Sequence, residues 1–293
     1  MRRWTSGELT LTTVVEAETH GIPCAFFFPD ATPEDVGVID WLEPSQIGAN
    51  GTIGMTVQSF LLELPGLVVL VDPCVGNHKR RTDFAFWNDL DLPWLDRLAE
   101  AGHRPADVGL VVHTHLHEDH VGWDTHLVDG EWVPTFPNAR HVYVGDELDF
   151  WRAEHERDGR EAWADSVQPI LDAGLADVVA ADADLGHGIR LVSTPGHTPG
   201  HVSVEVDAGA EALSITGDLT HHPLQLARPD LREVADADAE LARRTRSEYF
   251  AHHAREGTML AATHYPGSAL GRIEAAGPAW RWVAEPGVDP ATG

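Results

Sequence analysis

Cysteine is almost absent from this chain: Cys24 and Cys74 are the only two in 293 residues. Two thiols cannot build a disulfide framework for a chain of this size, so nothing demands an oxidising compartment, and both are expected to be free and buried. Positive charge is scarce too. Twenty Lys and Arg stand against 47 Asp and Glu, a formal net charge of −27, which argues against nucleic-acid partners, because phosphate backbones are met with basic patches. The acidity reads as solvated surface that serves solubility. No window approaches the roughly 18 apolar residues of a membrane span. The opening MRRWTSGELTLTTVV has basic residues but neither a continuous apolar stretch nor a small-residue cleavage site. The expectation is a cytoplasmic protein that neither spans a membrane nor binds nucleic acid.

What is present can fill a core: 43% of the residues are hydrophobic, enough for one large domain or two ordinary ones. Leu9 to Val15 alternates as a strand, and Met55 to Asp72 reads as two strands around a Pro65-Gly66 turn. Pro93 to Ala101 has helical spacing with Gly102 as its stop, and Val108 to Val112 reads as a buried strand. Arg140 to Val144 is another strand, Gly145 to Gly174 one or two helices. Strands are then expected at Ile189 to Ser193, Val202 to Val206 and Ala212 to Thr216, a helix from about Leu231 to Arg255, and a strand at Thr258 to Ala262. Strand-rich stretches followed by helix occur once in each half, which suggests two sheets packed together with helices outside. Residues 30 to 55 read as an irregular arm, more a surface connection than a cover for a site.

Histidine is the conspicuous presence. Four of the 18 imidazoles fall within VVHTHLHEDHVGW, and His115, His117, Asp119 and His120 stand at offsets that let neutral imidazoles and a carboxylate converge on one or two cations. The cluster leaves the end of a strand. So do His197 in TPGHTPGH, Asp218 in GDLTHHP and His264 in THYPG.

The order HxHxDH, PGH, GD and H over about residues 55 to 270 resembles the metallo-β-lactamase superfamily. The resemblance implies an α/β fold, an αββα sandwich of two mixed β-sheets flanked by helices. It implies a single domain over 1–293, with its core at about 55–270 and an N-terminal arm or loop at about 20–55. It also implies two divalent metal ions: His115, His117 and His197 on the first, Asp119, His120 and His264 on the second, and Asp218 bridging them. Zinc is the expected metal, with manganese, iron and cobalt as alternatives. Asp72, at the end of LVVLVDP, matches a buried aspartate of the family that fixes the tautomer of a metal-binding imidazole; the plain alternative is a strand-end turn residue. His113 and His201 are expected to pack or support ligands, and His78 to lie in a solvated loop. Of Trp87, Trp94, Trp123 and Trp132, one or two would wall a substrate pocket.

Within the superfamily, His117 replaces the glutamate of oxygen-reducing diiron members, which favours hydrolysis. Asp218 stands where the dizinc β-lactam hydrolases have no bridging aspartate. The motifs HTHLHEDHVGW, TPGHTPGH and THYPG resemble the branch of acyl-homoserine lactone lactonases and methyl parathion hydrolase. Three residues after the bridging aspartate, where such lactonases often carry tyrosine, this chain has His221. That residue is a candidate catalytic electrophile or proton donor, or else half of a solvent-exposed pair with His222. The implied activity is hydrolysis of a lactone or carboxylic ester through a metal-bridging hydroxide, with Asp119 carrying the proton to the leaving oxygen. Alternatives are a phosphotriesterase or arylesterase, a thioesterase, a non-hydrolytic biosynthetic metalloenzyme, and a metal-free binding protein. The acidic chain favours a small neutral or apolar substrate, and a homodimer is open to it.

Overall fold

The computed structural model describes residues 1–82, 84–207 and 210–286; the final residues of the expected 1–293 domain, 287–293, lie outside that range. In chain order the strands of the first half are β1 (Arg3–Ser6), β2 (Leu9–Pro23), β3 (Thr52–Leu64), β4 (Leu67–Val71), β5 (Leu110–Val112), β6 (Thr125–Val128), β7 (Glu131–Pro134), β8 (Arg140–Val144) and β9 (Ala176–Val179). Seven of them form a sheet of order β1-β2-β3-β4-β5-β8-β9, and β6-β7 is a separate hairpin. The expected hairpin is present, closing at Leu64 opposite Leu67 around the Pro65-Gly66 turn. The neighbours β4, β5, β8 and β9 run parallel. The apolar character of β4, β5 and β8 follows, because interior parallel strands are covered on both faces, while β9 at the edge leaves Val178 exposed.

The second half contributes β10 (Asp184–Gly186), β11 (Ile189–Ser193), β12 (Val202–Asp207), β13 (Ala212–Ile215), β14 (Met259–Ala261), β15 (Leu270–Ala276) and β16 (Ala279–Ala284), in that order across a second sheet. Only β13 and β14 pair in parallel; the crossover between them carries the helix Ala239–Glu256.

The chain divides into two compact units, one of residues Met1–Glu16 and Val57–Ala181, the other of Ala17–Thr56 and 182–286. In the first, Leu116, Val121, Tyr143, Leu148, Trp163 and Ile170 form an apolar cluster. In the second, Tyr249 and Phe250 of the long helix pack on Leu260, Tyr265, Ile273 and Trp282. Each large apolar side chain so buried contributes about 1.5–3 kcal/mol.

Two expectations need correction. The helix read from about Leu231 begins at Ala239, where Asp238 caps it by accepting a hydrogen bond from the Leu241 amide at 2.9 Å. The eight preceding residues have helical-looking polarity but form a loop. The arm at 30 to 55 is also less irregular than expected. It contains the helix Pro33–Gly37, started by a capping box between Thr32 and Asp35. The arm is held to its unit by hydrogen bonds from Ser268 N to Glu43 (3.1 Å) and from His222 to the Gln46 carbonyl (2.9 Å).

Candidate metal centre

In the first unit, β5 delivers the chain directly into the histidine-rich loop. His115 is buried, its Nε2 2.8 Å from His117 Nδ1, and its ring lies 4.1 Å from that of His120. A short helical turn, Glu118–Val121, brings Asp119 and His120 to the same place, with His120 Nε2 3.6 Å from Asp119 Oδ2. The four expected ligands of this unit therefore gather within one loop.

That loop is held from behind. Asp72 directly follows β4 with a left-handed φ of 53°, a region that non-glycine residues seldom adopt but that aspartate tolerates better than most. Its carboxylate accepts from the Thr114 amide (2.8 Å) and hydroxyl (2.7 Å) and lies 3.0 Å from His120 Nδ1. Glu16, fully buried, accepts from the amides of Val75 (2.8 Å) and Gly76 (3.1 Å) and from Trp123 Nε1 (2.6 Å). Burial pushes its pKa up to about 7 against the pull of those hydrogen bonds. Gly122 lies so close to the carbonyl of Val75 that any Cβ would overlap it. Glu147 accepts from Leu116 N (3.1 Å) and Trp151 Nε1 (2.7 Å), and the Trp151 indole stands edge-on to His117 at 5.0 Å.

A second histidine cluster of this unit is different in kind. Asp124 receives His113 Nε2 at 3.0 Å, lies 3.0 Å from His141 Nδ1, and accepts from the Tyr143 hydroxyl at 2.9 Å. Although Asp124 is wholly buried, the two imidazoles and their hydrogen bonds hold its pKa far below the usual carboxylate range. His113 and Tyr143 engage the carboxylate by hydrogen bonds, while His141 Nε2 finds no partner among the described residues, so the cluster is a further group of metal-ligand types beside the expected seven residues. Trp94 and Trp123 stack in the interior at 5.3 Å, Trp87 is buried, and the Trp132 ring faces the Lys79 ammonium at 3.7 Å. The indole beside a ligand candidate is thus Trp151, outside the expected four. His78 is exposed, and Cys24 and Cys74 are free and buried.

In the second unit, Asp218 follows β13 and its carboxylate is faced by three imidazoles. Oδ1 is 2.9 Å from His264 Nε2, and Oδ2 is 3.1 Å from His221 Nε2 and 3.4 Å from His197 Nε2. The Asp218 amide donates to His201 Nε2 at 2.9 Å, while His201 Nδ1 meets Thr194, so His201 supports the aspartate. His221 is buried rather than solvent-exposed, and its ring is stacked on that of His264 at 5.4 Å. His222 turns away. It accepts from Leu224 N at Nδ1 (3.0 Å) and donates from Nε2 to Gln46, and burial lowers its pKa to about 4.

The ring nitrogens on the far side are engaged as well. His264 Nδ1 donates to the Thr56 carbonyl at 2.8 Å, and His197 Nδ1 meets Asp236 at 3.1 Å. Burial disfavours charge on His197, but the hydrogen bonds to Asp218 and Asp236 outweigh it and raise its pKa to about 10. A divalent cation would compete with that proton. The donors of each unit suit such a cation: His120 in the first and His197 and His264 in the second each turn Nδ1 to an oxygen and leave Nε2 toward a ligand candidate of their own unit.

Sequence reasoning missed Glu16, Glu147, Glu233, Asp236 and Arg246. The signal for Asp236 was the acidic run REVADADAE, which helical spacing disguised as a solvated face.

A probable metallo-hydrolase of Mycobacterium bovis is 30% identical over 133 residues, 43% of this chain and 41% of the relative. An N-acyl homoserine lactonase of a Bacillus species is 26% identical over 150 residues, 50% of this chain and 51% of the relative. The chain thus spans about half the length of the curated relatives it matches. Among solved structures, AidC, a dizinc quorum-quenching lactonase, superposes with a TM-score of 0.80 at 23% identity, over 97% of this chain and 96% of that one. That likeness speaks to the fold: α/β, with two mixed sheets flanked by helices. The profile of the metallo-beta-lactamase superfamily matches residues 53–275, and the chain belongs to that superfamily.

Proposed function

We propose that the protein is a dinuclear metal-dependent hydrolase of lactones or related carboxylic esters, and that its two units act as one catalytic domain. In this reading His115, His117, Asp119 and His120 of the first unit and His197, Asp218 and His264 of the second hold two divalent ions, zinc by preference. The observation that carries the reading is the Asp218 carboxylate, buried and faced by His197, His221 and His264, in a chain whose other unit gathers four ligand candidates of the same chemistry. The lactonase names of several relatives support the substrate class.

Bound metals would bring the pKa of a shared water near neutrality and polarise a carbonyl oxygen. Asp119 carries the proton to the leaving oxygen, and the second unit's His221 serves as electrophile or proton donor through its imidazole N–H. His222 takes no part, because both its nitrogens are committed to backbone partners. With 47 acidic residues against 20 basic ones, the substrate is small and neutral or apolar.

The test is kcat/KM of zinc-loaded protein across homoserine and aliphatic lactones, an aryl ester, a phosphotriester, a thioester and a β-lactam. Lactones should lead clearly, and chelator should abolish the activity. Weak, even rates across the panel would overturn the substrate assignment.

A further inference from the structure

The long helix of the second unit is preceded by residues 228–238, a loop in which two acidic side chains turn inward. Glu233 and Asp236 are buried, although carboxylates are seldom fully buried without partners. The loop runs beside the His197 segment, with Ala237 N donating to the His197 carbonyl and Asp238 N to the Gly196 carbonyl, both at 2.9 Å. Gly196, at φ 133°, leaves no room for a Cβ against the backbone of Ala242, so the loop and helix start close tightly over this turn.

Two carboxylates compete for His197 Nδ1. Asp236 Oδ1 is 3.1 Å away and Glu233 Oε2 is 3.9 Å away, so only Asp236 is within hydrogen-bond reach. Asp236 is itself fixed: its other oxygen accepts from Glu233 N at 3.0 Å and lies 3.5 Å from Arg246 Nη2. Arg246, fully buried on the long helix, donates from Nε to the Leu219 carbonyl and from Nη1 to the Leu231 carbonyl, each at 2.8 Å. One guanidinium thus ties the residue after Asp218 to the loop that bears Asp236. A planar fork can serve several acceptors in this way, which an ammonium cannot do with the same geometry.

We infer that Asp236, clamped by Arg246, is the positioning residue of His197: it accepts Nδ1–H and so commits Nε2, on the Asp218 side, to binding a divalent cation. The inference rests on the metal-dependent reading above and adds to it the group that prepares one ligand before the cation arrives. An orienting carboxylate of this kind is worth about 10–100-fold in metal affinity.

The experiment is titration of chelator-stripped protein with Co²⁺ alone, followed by the visible d–d absorption, with thermal melting of the stripped protein in parallel. Asp236→Asn preserves shape and should raise the apparent Kd for one of two bound ions about 10–100-fold and alter the cobalt band. Asp230→Asn, at the exposed pair with Arg228, should leave both unchanged. Should Asp236→Asn fail to fold, Arg246→Lys, which keeps the charge and loses the fork, should weaken the same ion. Unchanged affinity and spectrum in a folded Asp236→Asn protein, even with a lower melting temperature, would reduce Asp236 to a structural residue and overturn the inference. A parent protein that binds no cobalt overturns the metal-dependent reading as well, so the two failures are distinguishable.

Discussion

The two units face the same physical task with opposite connectivity. The first carries its four ligand candidates within six residues, His115 to His120, on one loop; the second draws His197, Asp218 and His264 from three separate strand exits. Both nonetheless use the same two devices. A buried carboxylate addresses the rear of an imidazole, Asp72 at His120 and Asp236 at His197. A glycine allows a backbone approach that a Cβ would forbid, Gly122 at Val75 and Gly196 at Ala242. Sequence proximity of the ligand candidates is therefore not what fixes each loop. Groups 39 or more residues away hold each loop in place.

The parallel can be broken most decisively at Asp218. Asp218→Ala leaves three imidazoles without the carboxylate they share, and turnover should fall by about 10³-fold, roughly 4 kcal/mol of transition-state stabilisation, with less bound metal; near-normal turnover in a folded variant would sink the dinuclear reading. Next come the glycines. Gly122→Ala and Gly196→Ala should each destabilise by about 2–4 kcal/mol in denaturant unfolding, and a cost under about 0.5 kcal/mol at either would show that half to be more yielding. Third, Asp72→Asn should weaken the ion assigned to Asp119, His120 and His264 about 10–100-fold, read by chelator competition, as the counterpart of Asp236→Asn. If only one of the pair matters, the symmetry between the halves is formal.

The smallest effect belongs to the second unit alone. The pKa of His222 in the folded protein, about 4, lies below its ordinary 6.5. The pin it makes between Leu224 N and the Gln46 carbonyl is complete above pH 6.5 and is lost as pH falls through about 4. The protection of amides in residues 43–54, taken relative to their intrinsic exchange rates, should fall as pH drops across that window in the parent, and His222→Gln should flatten the dependence. A pH-independent protection factor in the parent would remove His222 from this role.

Much of the scaffold was legible because it obeys local rules. The hairpin around Pro65-Gly66 and strands such as Ile189–Ser193 follow directly from apolar runs punctuated by turn residues. The ligand candidates stood out in the sequence because imidazoles and carboxylates at strand exits are chemically distinctive. The start of the long helix was not, since Glu233 and Asp236 have helical spacing yet are drawn inward by His197 and Arg246. Glu16 was equally hidden: its indole partner Trp123 is 107 residues away, a pairing that no local pattern encodes. His221 could be weighed from sequence but not placed, because its burial depends on Asp218, Gln225 and His264 together.

The Asp124 cluster bears on how a metal count should be read. A chain with 18 histidines invites the suspicion of adventitious loading, in which extra ions lodge wherever imidazoles crowd. His113 and His141 are crowded too, around the buried Asp124 carboxylate that the Tyr143 hydroxyl also reaches, so this cluster is a further place where imidazoles and a carboxylate converge. A measured count above two ions per chain would thus be traced first to this cluster.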